Sequence, residues 1–304
     1  MKIAIDLQGY QSRGSKTRGI GRYSYTLIRT LIKNSCEHDQ FILVANKSLD
    51  QFDNEFFAFV KSNIKKVQYF EWTYPKFTKE NPTYLNANSL IAQQLRSYAF
   101  SLLNCDIILI TSFFEGFKDN CVVELDDEFG LPPVATIFYD LIPLIKSDIY
   151  LDNNPVFKEF YLNRIKYLNK VDCLLSISKS SSNEAYNYLS VDKNNIYNIY
   201  AGCDRNVFTP FRKNKVYINF KNFKAGEYLL YSGAGDPRKN LQRLIHSYSL
   251  LDKKLILTYK LVLVGKLLPE EITLIKSWIF SYNLSESQVV LLGYVVDAML
   301  VLDN

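Results

Sequence analysis

Short apolar runs alternate with longer stretches of helical periodicity along most of the chain. The runs have the length of strands that a parallel sheet buries on both faces, and the stretches between them are typical of amphipathic helices. The clearest helices are predicted over residues 84–103 and 156–168. This alternation predicts an α/β protein with parallel sheets. The predicted strands cover residues 2–6, 41–45, 67–71, 107–110, 134–138, 173–177, 196–200, 228–231, 261–264 and 289–292.

The length of the chain and the spacing of these elements predict two domains. A chain of 304 residues exceeds what one small domain needs, since domains commonly hold about 100 to 200 residues. Residues 1–207 carry the first seven strands, and residues 208–225, which lack a clear period, are interpreted as a linker. Residues 226–304 carry three more strands.

The composition is that of a globular protein without a disordered block. Hydrophobic residues make up 48% and charged residues 22%. No apolar run approaches about 18 residues and no secretory leader is present, so a cytoplasmic protein is expected. Five scattered cysteines without a C-x-x-C pair indicate free thiols rather than disulfides or a metal site. The acidic run at 124–128 is interpreted as a solvated loop, with a metal site as the alternative.

The formal net charge of +5 suits acidic ligands or an anionic membrane surface, and it does not distinguish between them. Basic residues are scattered along the chain, and no nucleic-acid-binding motif is present. Nucleic acid is therefore not expected as a partner.

Residues 228–251 join an apolar strand, a glycine turn, two adjacent cations and an amphipathic helix. Gly233 allows a tight turn, and Asn240 is a predicted helix cap. Arg238 and Lys239 would then lie at the helix N-terminus, where the helix dipole adds to their charges. The stretch predicts a phosphate or diphosphate site. The alternative is a solvated basic turn before an ordinary helix.

A second glycine-containing stretch follows the first strand. Gly9, Gly14, Lys16 and Thr17 come close to a P-loop, but one residue too many precedes the lysine, which argues against an NTPase. The sequence at 19–22, Gly-Ile-Gly-Arg, begins a predicted helix and could admit a phosphate or sugar against bare backbone. Its alternative is a plain flexible loop.

Five motifs follow one another along the chain. They are Gly19-Ile20-Gly21-Arg22-Tyr23, Tyr139-Asp140-Leu141-Ile142-Pro143-Leu144, Gly202-Cys203-Asp204 with Phe208 and Pro210, Asp236-Pro237-Arg238-Lys239-Asn240 and Leu292-Gly293-Tyr294-Val295. In this order along residues 2–295, they resemble the motifs of family 4 glycosyltransferases, in the branch of bacterial mannosyltransferases of O-antigen and polysaccharide assembly. The resemblance implies the GT-B fold, with two Rossmann-like domains facing a cleft, a nucleotide-sugar donor and retention of anomeric configuration. In the usual Rossmann order 3-2-1-4-5-6, the strand at 228–231 would then lie at an exposed edge of the three strands of the second domain.

The resemblance also implies roles for these positions. Cations and backbone amides would stabilise the leaving diphosphate, with no metal ion or other cofactor, and the predicted donor is GDP-mannose. Tyr139 stands where the family often carries a histidine, and Asp140 follows a buried strand, where ligands of open α/β sheets collect. These two are the candidate catalytic residues. The candidate donor-binding residues are Gly19, Gly21, Arg22, Gly233, Arg238 and Lys239.

Two departures from the family pattern concern its donor motif of two glutamates separated by seven residues. The segment 112–117 resembles this motif but lies in the first domain, and Val123 occupies the position of the second glutamate. Glu115 is therefore a candidate for acceptor binding, with a structural turn as the alternative. The motif itself is expected beyond Asn304, so about the last quarter of a usual family member is expected to be absent.

The sequence thus predicts a glycosyltransferase, of the mannosyl-transferring kind, acting on a glycan or lipid-linked glycan acceptor. Peripheral contact with the inner face of the membrane is expected from the acceptor and the charge. The alternative is a non-catalytic, partner-binding α/β protein that kept the fold without donor chemistry. A hydride-transferring Rossmann enzyme is disfavoured because no G-x-G-x-x-G follows the first strand.

Overall fold

The structure is a computed structural model that describes residues 1–74, 87–203 and 227–295. Contacts divide the chain into two compact units, Met1–Gly202 and Cys203–Asn304. The predicted linker at 208–225 and the first residues of the helix predicted at 84–103 lie outside the described residues.

The first unit contains a parallel sheet of seven strands in the order β3-β2-β1-β4-β5-β6-β7. The register places Ile3 of β1 opposite Phe41 of β2 and Ile107 of β4. The chain order reverses between β1 and β4, and ligand crevices of open α/β sheets form at such a point. The strands are β1 (Lys2–Asp6), β2 (Gln40–Asn46), β3 (Val67–Trp72), β4 (Ile107–Ile110), β5 (Val134–Phe138), β6 (Cys173–Ser176) and β7 (Ile196–Asn198).

Helices cover both faces of this sheet. Ile28 and Ile32 of α2 pack with Phe56 of α3 on one face, whereas Phe100 of α4 and Leu168 of α7 pack on the other. Two buried faces explain why these strands are continuous apolar runs rather than alternating ones. The helices are α1 (Gln8–Gln11), α2 (Gly19–Asn34), α3 (Asn54–Ser62), α4 (Ala87–Ser101), α5 (Ile142–Ile145), α6 (Ser147–Tyr150), α7 (Pro155–Leu168) and α8 (Lys179–Tyr188).

The second unit holds a three-stranded parallel sheet in the order β10-β9-β8. Its core forms around Ile245 of α9 and Ile275 and Ile279 of α11. The predicted α/β class with parallel sheets is confirmed in both units. The elements are β8 (Tyr228–Ser232), α9 (Leu241–Ser249), α10 (Lys253–Thr258), β9 (Lys260–Val264), α11 (Pro269–Ser281) and β10 (Val289–Gly293).

Strand β8 has the edge position that was predicted for it, but it is not buried on both faces as its apolar run predicted. Among the described residues it pairs with β9 alone, as the order 3-2-1 requires. Leu229 and Leu230 are 46% and 38% exposed, so the prediction that this strand is buried on both faces is wrong. An apolar run alone does not show how many neighbours a strand has.

The acidic run at 124–128 also differs from its interpretation as a solvated loop, because Glu124 is buried and forms an ion pair with Arg164. In the described part of the chain, no cluster of three or more His, Cys, Asp or Glu side chains could hold a metal ion. No described helix combines the length and apolarity needed to cross a bilayer.

Candidate functional site

The glycine sequence at 19–22 forms the first turn of α2 rather than a loop before it. Gly21 is buried, and a Cβ there would lie 2.5 Å from the carbonyl oxygen of Ser15 and 2.6 Å from that of Lys16. A Cβ at Gly19 would have no heavy atom within 4 Å. The chain's own preceding loop therefore occupies the space at Gly21, which corrects the expectation of bare backbone open to a ligand there. Open space of that kind exists at Gly19.

Glu115 lies beneath this loop, at the carboxyl end of β4. Its Oε1 accepts hydrogen bonds from the hydroxyls of Ser15 and Ser112, the latter at 2.8 Å. The side chain is buried, and burial raises the pKa of the carboxyl above its ordinary value, although the serine hydroxyls act in the opposite direction. These contacts favour the structural-turn alternative over acceptor binding.

Tyr139 follows β5, and its ring lies between α2 and the end of β4. Its hydroxyl donates to the carbonyl oxygen of Thr111 at 3.1 Å and lies 3.3 Å from the hydroxyl of Ser24. Burial raises the pKa of this phenol above its ordinary value, so the hydroxyl stays protonated at neutral pH. The ring also meets Tyr23 edge-on at 5.6 Å. These contacts hold α2 against β5, and a catalytic role for the hydroxyl stays a prediction.

Asp140 begins the turn into α5, and its Oδ1 accepts from the amide of Ile142 at 3.2 Å. The neighbouring amide, that of Leu141, donates to Oε2 of Glu184 at 2.7 Å. Two carboxylates from different elements thus fix one turn at the carboxyl end of β5. The predicted role of Asp140 at the reacting sugar is not tested by this geometry, which places it at the edge of the sheet where ligands collect.

The sequence reasoning did not select two residues that belong to this neighbourhood. Glu184 lies on α8, 43 positions from the amide it binds, so no local pattern reveals it. The hydroxyl of Tyr23 donates to the carbonyl oxygen of Tyr200 at 2.9 Å, and Tyr200 has a φ of 60°. A positive φ is uncommon for an aromatic residue, and this one lies two positions before the boundary of the first unit. Tyr23 is the last residue of the motif Gly19-Ile20-Gly21-Arg22-Tyr23, and its place in that motif is the signal that could have given it a role.

In the second unit, glycines bring the carboxyl ends of the three strands together. The amide of Gly233 donates to Val264 at 2.9 Å, and that of Gly265 donates to Gly293 at 2.8 Å. Gly265 has a φ of 154°, and a Cβ there would overlap the carbonyl oxygen of Gly233. Only glycine meets both conditions at this position.

Arg238 and Lys239 lie in a short 3-10 turn, Pro237–Lys239, that leads into α9. Asp236 accepts from the amide of Arg238 at 3.0 Å and lies 3.5 Å from its Nε, so the charge of Arg238 is partly compensated. Lys239 is exposed. Asn240 is the N-cap residue of α9, as predicted, although its φ is 53° and its side chain makes no capping hydrogen bond. The turn places both cations before the first free amides of α9, as a phosphate site requires.

The candidate residues therefore form one group in each unit. Gly19, Gly21, Arg22, Glu115, Tyr139 and Asp140 gather at the carboxyl ends of β1, β4 and β5, whereas Gly233, Arg238 and Lys239 follow β8.

Comparison with known proteins agrees with this architecture. No protein-family model matches the chain. Over 300 residues it is 31% identical to the serotype-specific mannosyltransferase WbdA of Escherichia coli, a match that covers 98% of this chain and 35% of WbdA. The chain resembles O-antigen mannosyltransferases. A second WbdA sequence from the same species is 31% identical over 214 residues, with 70% of this chain and 26% of the relative covered. The chain thus spans about a third of the length of the curated relatives it matches.

Solved structures show the same fold. The crystal structure of HepE from Anabaena in complex with UDP and glucose has a TM-score of 0.63 at 16% identity, with 98% of this chain and 70% of HepE covered. The structure of WaaG, a glycosyltransferase involved in lipopolysaccharide biosynthesis, has a TM-score of 0.59 at 12% identity, with 98% of this chain and 72% of WaaG covered. At these identities the likeness concerns the fold alone, and that fold is GT-B.

Proposed function

We propose that the chain is a glycosyltransferase polypeptide that moves mannose from GDP-mannose to a glycan or lipid-linked glycan acceptor, with retention, in cell-surface polysaccharide synthesis. The observation that carries the proposal is the similarity to WbdA along 98% of the chain. The protein would work in the cytoplasm with peripheral contact to the inner face of the membrane, where a net charge of +5 favours binding to anionic lipids.

The chemistry at the end of β8 supports a diphosphate leaving group. Arg238 and Lys239 precede α9, whose first amides and dipole add partial positive charge at the same place. Such fixed charge stabilises the negative charge that develops on a departing nucleotide diphosphate. Asp236 compensates part of the charge on Arg238, so we assign the larger share to Lys239.

Transfer assays test this proposal. The purified chain is incubated with GDP-mannose, and in parallel with UDP-glucose and UDP-galactose, in the presence of lipid-linked glycans extracted from membranes. Transfer from GDP-mannose alone, with an α-linked product identified by NMR, is the expected result. No transfer from any donor would contradict the proposal, and transfer from a UDP-sugar would contradict the choice of donor.

Substitution of Lys239 tests the diphosphate assignment. Lys239→Ala is expected to lower turnover roughly a hundredfold, the loss typical of a key charge-stabilising donor, and Arg238→Ala is expected to lower it less. Lys253→Ala is the matched control, because Lys253 is an exposed lysine of the same unit that lies beyond the other end of α9. Melting temperatures are measured for all variants and are expected to match that of the wild type. Equal turnover in Lys239→Ala and Lys253→Ala would remove the assignment.

Within the described ranges β8 pairs with β9 alone and carries the exposed apolar side chains of Leu229 and Leu230, which favours the second candidate, a non-catalytic partner-binding protein. Size-exclusion chromatography with light scattering tests this reading. A Leu230→Lys variant that abolishes self-association or partner binding, in a chain without transfer activity, would favour it over the glycosyltransferase.

A further inference from the structure

Two carboxylates of one segment, residues 115–119, accept hydrogen bonds from the loop between α1 and α2. Glu115 accepts from the hydroxyl of Ser15, and Oδ2 of Asp119 accepts from the hydroxyl of Ser12 at 2.7 Å and from the amide of Arg13 at 3.0 Å. Since two carboxylates occupy these three donors, the donors cannot cradle a phosphate, in agreement with the rejected P-loop pattern.

The loop in turn fixes the first turn of α2. The carbonyl oxygen of Ser15 accepts from the amides of Arg18 at 2.8 Å and Gly21 at 3.1 Å. Gly21 packs so closely on Ser15 and Lys16 that a Cβ would not fit. A displacement of Ser15 therefore moves the start of α2 with it, because a close-packed contact of this kind leaves no room to absorb the change.

Glu115 is itself held in place by its surroundings. The hydroxyl of Ser112 donates to the same Oε1, and the guanidinium of Arg164 donates to the main-chain carbonyl of Glu115 at 2.8 Å. Gly116 has a φ of 105°, and a Cβ there would lie 2.5 Å from the carbonyl oxygen of Cys121. A carboxylate fixed on both its side chain and its backbone can transmit its position to Ser15.

We propose that Glu115 is a positioning residue, which through Ser15 and Gly21 sets the first turn of α2 so that Gly19 and Arg22 meet the donor. The inference rests on the proposed function and replaces the acceptor-binding role expected for Glu115. The proposal also gives each of the two glycines a role. Gly21 lets the first turn of α2 pack against Ser15 and Lys16, and Gly19 leaves open space for the donor.

Hydrogen–deuterium exchange combined with donor kinetics tests the proposal. The variants are Ser15→Ala, Glu115→Gln, Glu115→Ala and the double variant Ser15→Ala/Glu115→Ala. Ser182→Ala is the matched control, because its buried hydroxyl on α8 also makes a hydrogen bond, to the carbonyl oxygen of Ser178. Exchange is followed in peptides that cover residues 15–22 and, for comparison, α8.

In Ser15→Ala, the amides of residues 15–22 are expected to exchange about five to ten times faster, the factor that loss of one average hydrogen bond gives. The donor KM is expected to rise by a similar factor, with kcat within about twofold of the wild type, since ground-state and transition-state binding are lost together. Glu115→Gln keeps an acceptor and should resemble the wild type more closely than Glu115→Ala does. The double variant should exchange no faster than Glu115→Ala, because both changes break one connection.

Unchanged exchange at residues 15–22 in both Ser15→Ala and Glu115→Ala would overturn the proposal. An equal increase in the exchange rate of α8 would also overturn it, because that would show a general loss of stability. Faster exchange confined to residues 15–22 with an unchanged donor KM would overturn it as well. If the wild-type chain transfers no sugar, the proposed function fails, and the exchange comparison still decides whether Glu115 seats the turn.

Discussion

The two units place a glycine-containing turn at the carboxyl ends of parallel strands, but they hold these turns by different means. In the first unit, a buried carboxylate holds the loop through a serine hydroxyl, and Gly21 closes against the backbone of that loop. In the second unit, backbone amides and carbonyls of glycines contact one another directly, as Gly265 does with Gly233 and Gly293.

The difference has physical consequences. A side-chain contact can be weakened in steps, by a conservative or a truncating substitution, and it responds to pH when one partner titrates. A contact between glycine backbones has no titratable group, and at Gly265 an added Cβ would overlap the carbonyl oxygen of Gly233. We therefore expect the second unit to tolerate substitution at its turn less well than the first, and to be the less sensitive of the two to pH.

The largest expected effect is that of Gly265→Ala. The added Cβ would overlap the carbonyl oxygen of Gly233 and would force an L-residue to a φ of 154°. Strain and overpacking together are expected to destabilise the second unit by about 3 to 5 kcal/mol. The chain has two tryptophans, Trp72 in the first unit and Trp278 in the second, so urea denaturation in a Trp72→Phe background reports the second unit alone. An unchanged denaturation midpoint would show that the strand ends can separate.

A smaller effect is expected from Gly21→Ala. The Cβ would lie 2.5 Å from the carbonyl oxygen of Ser15, and overpacking of this kind costs about 1 to 3 kcal/mol. The better helix propensity of alanine offsets about 0.5 to 1 kcal/mol of that cost. Gly19→Ala is the control, since its Cβ meets no atom within 4 Å and only the gain in propensity remains. Urea denaturation in a Trp278→Phe background measures both, and equal stability of the two variants would contradict the tight packing at Gly21.

The strands were predictable from the sequence because burial on both faces demands continuous apolar runs. The runs at 107–110 and 134–138 coincide with β4 and β5. The exposure of β8 was not predictable from its own residues, because it depends on which strands lie beside it. The boundary between the two units, at Gly202, comes from contacts between residues that are far apart in the chain, which no local pattern shows. The segment predicted as the linker lies outside the described residues.

The candidate site was predictable only where its signals are local. The turn from Gly233 to Lys239 lies within one short stretch, and so does the Asp236–Arg238 pairing, which a turn residue two positions before a cation could have indicated. Glu115 and Ser15 are 100 residues apart, so no spacing rule connects them. Gly21 shows a further difficulty, since a glycine needed by a ligand and one needed by the chain's own loop look the same in a sequence.

The smallest expected effect concerns pH and tests the side-chain half of the comparison. Burial raises the pKa of the Glu115 carboxyl above its ordinary value of 4.5, and nearby Asp119 acts in the same direction, whereas the hydroxyls of Ser12, Ser15 and Ser112 lower it. The folded state thus binds the proton more tightly than the unfolded state does. The stability that this proton contributes is fully present below pH 4.5 and is lost as pH rises through the folded-state pKa.

Glu115→Gln cannot titrate, so the free energy of unfolding of the wild type relative to this variant is expected to fall as pH rises. Urea denaturation at a series of pH values in the Trp278→Phe background measures this difference, and other titrating groups largely cancel between the two proteins. The same substitution in the Trp72→Phe background should leave the second unit unchanged at every pH, because its glycine contacts carry no proton. If the difference in the free energy of unfolding between the wild type and Glu115→Gln stays constant with pH, the carboxyl has the same proton affinity in the folded and unfolded chain. The two turns would then differ in packing alone.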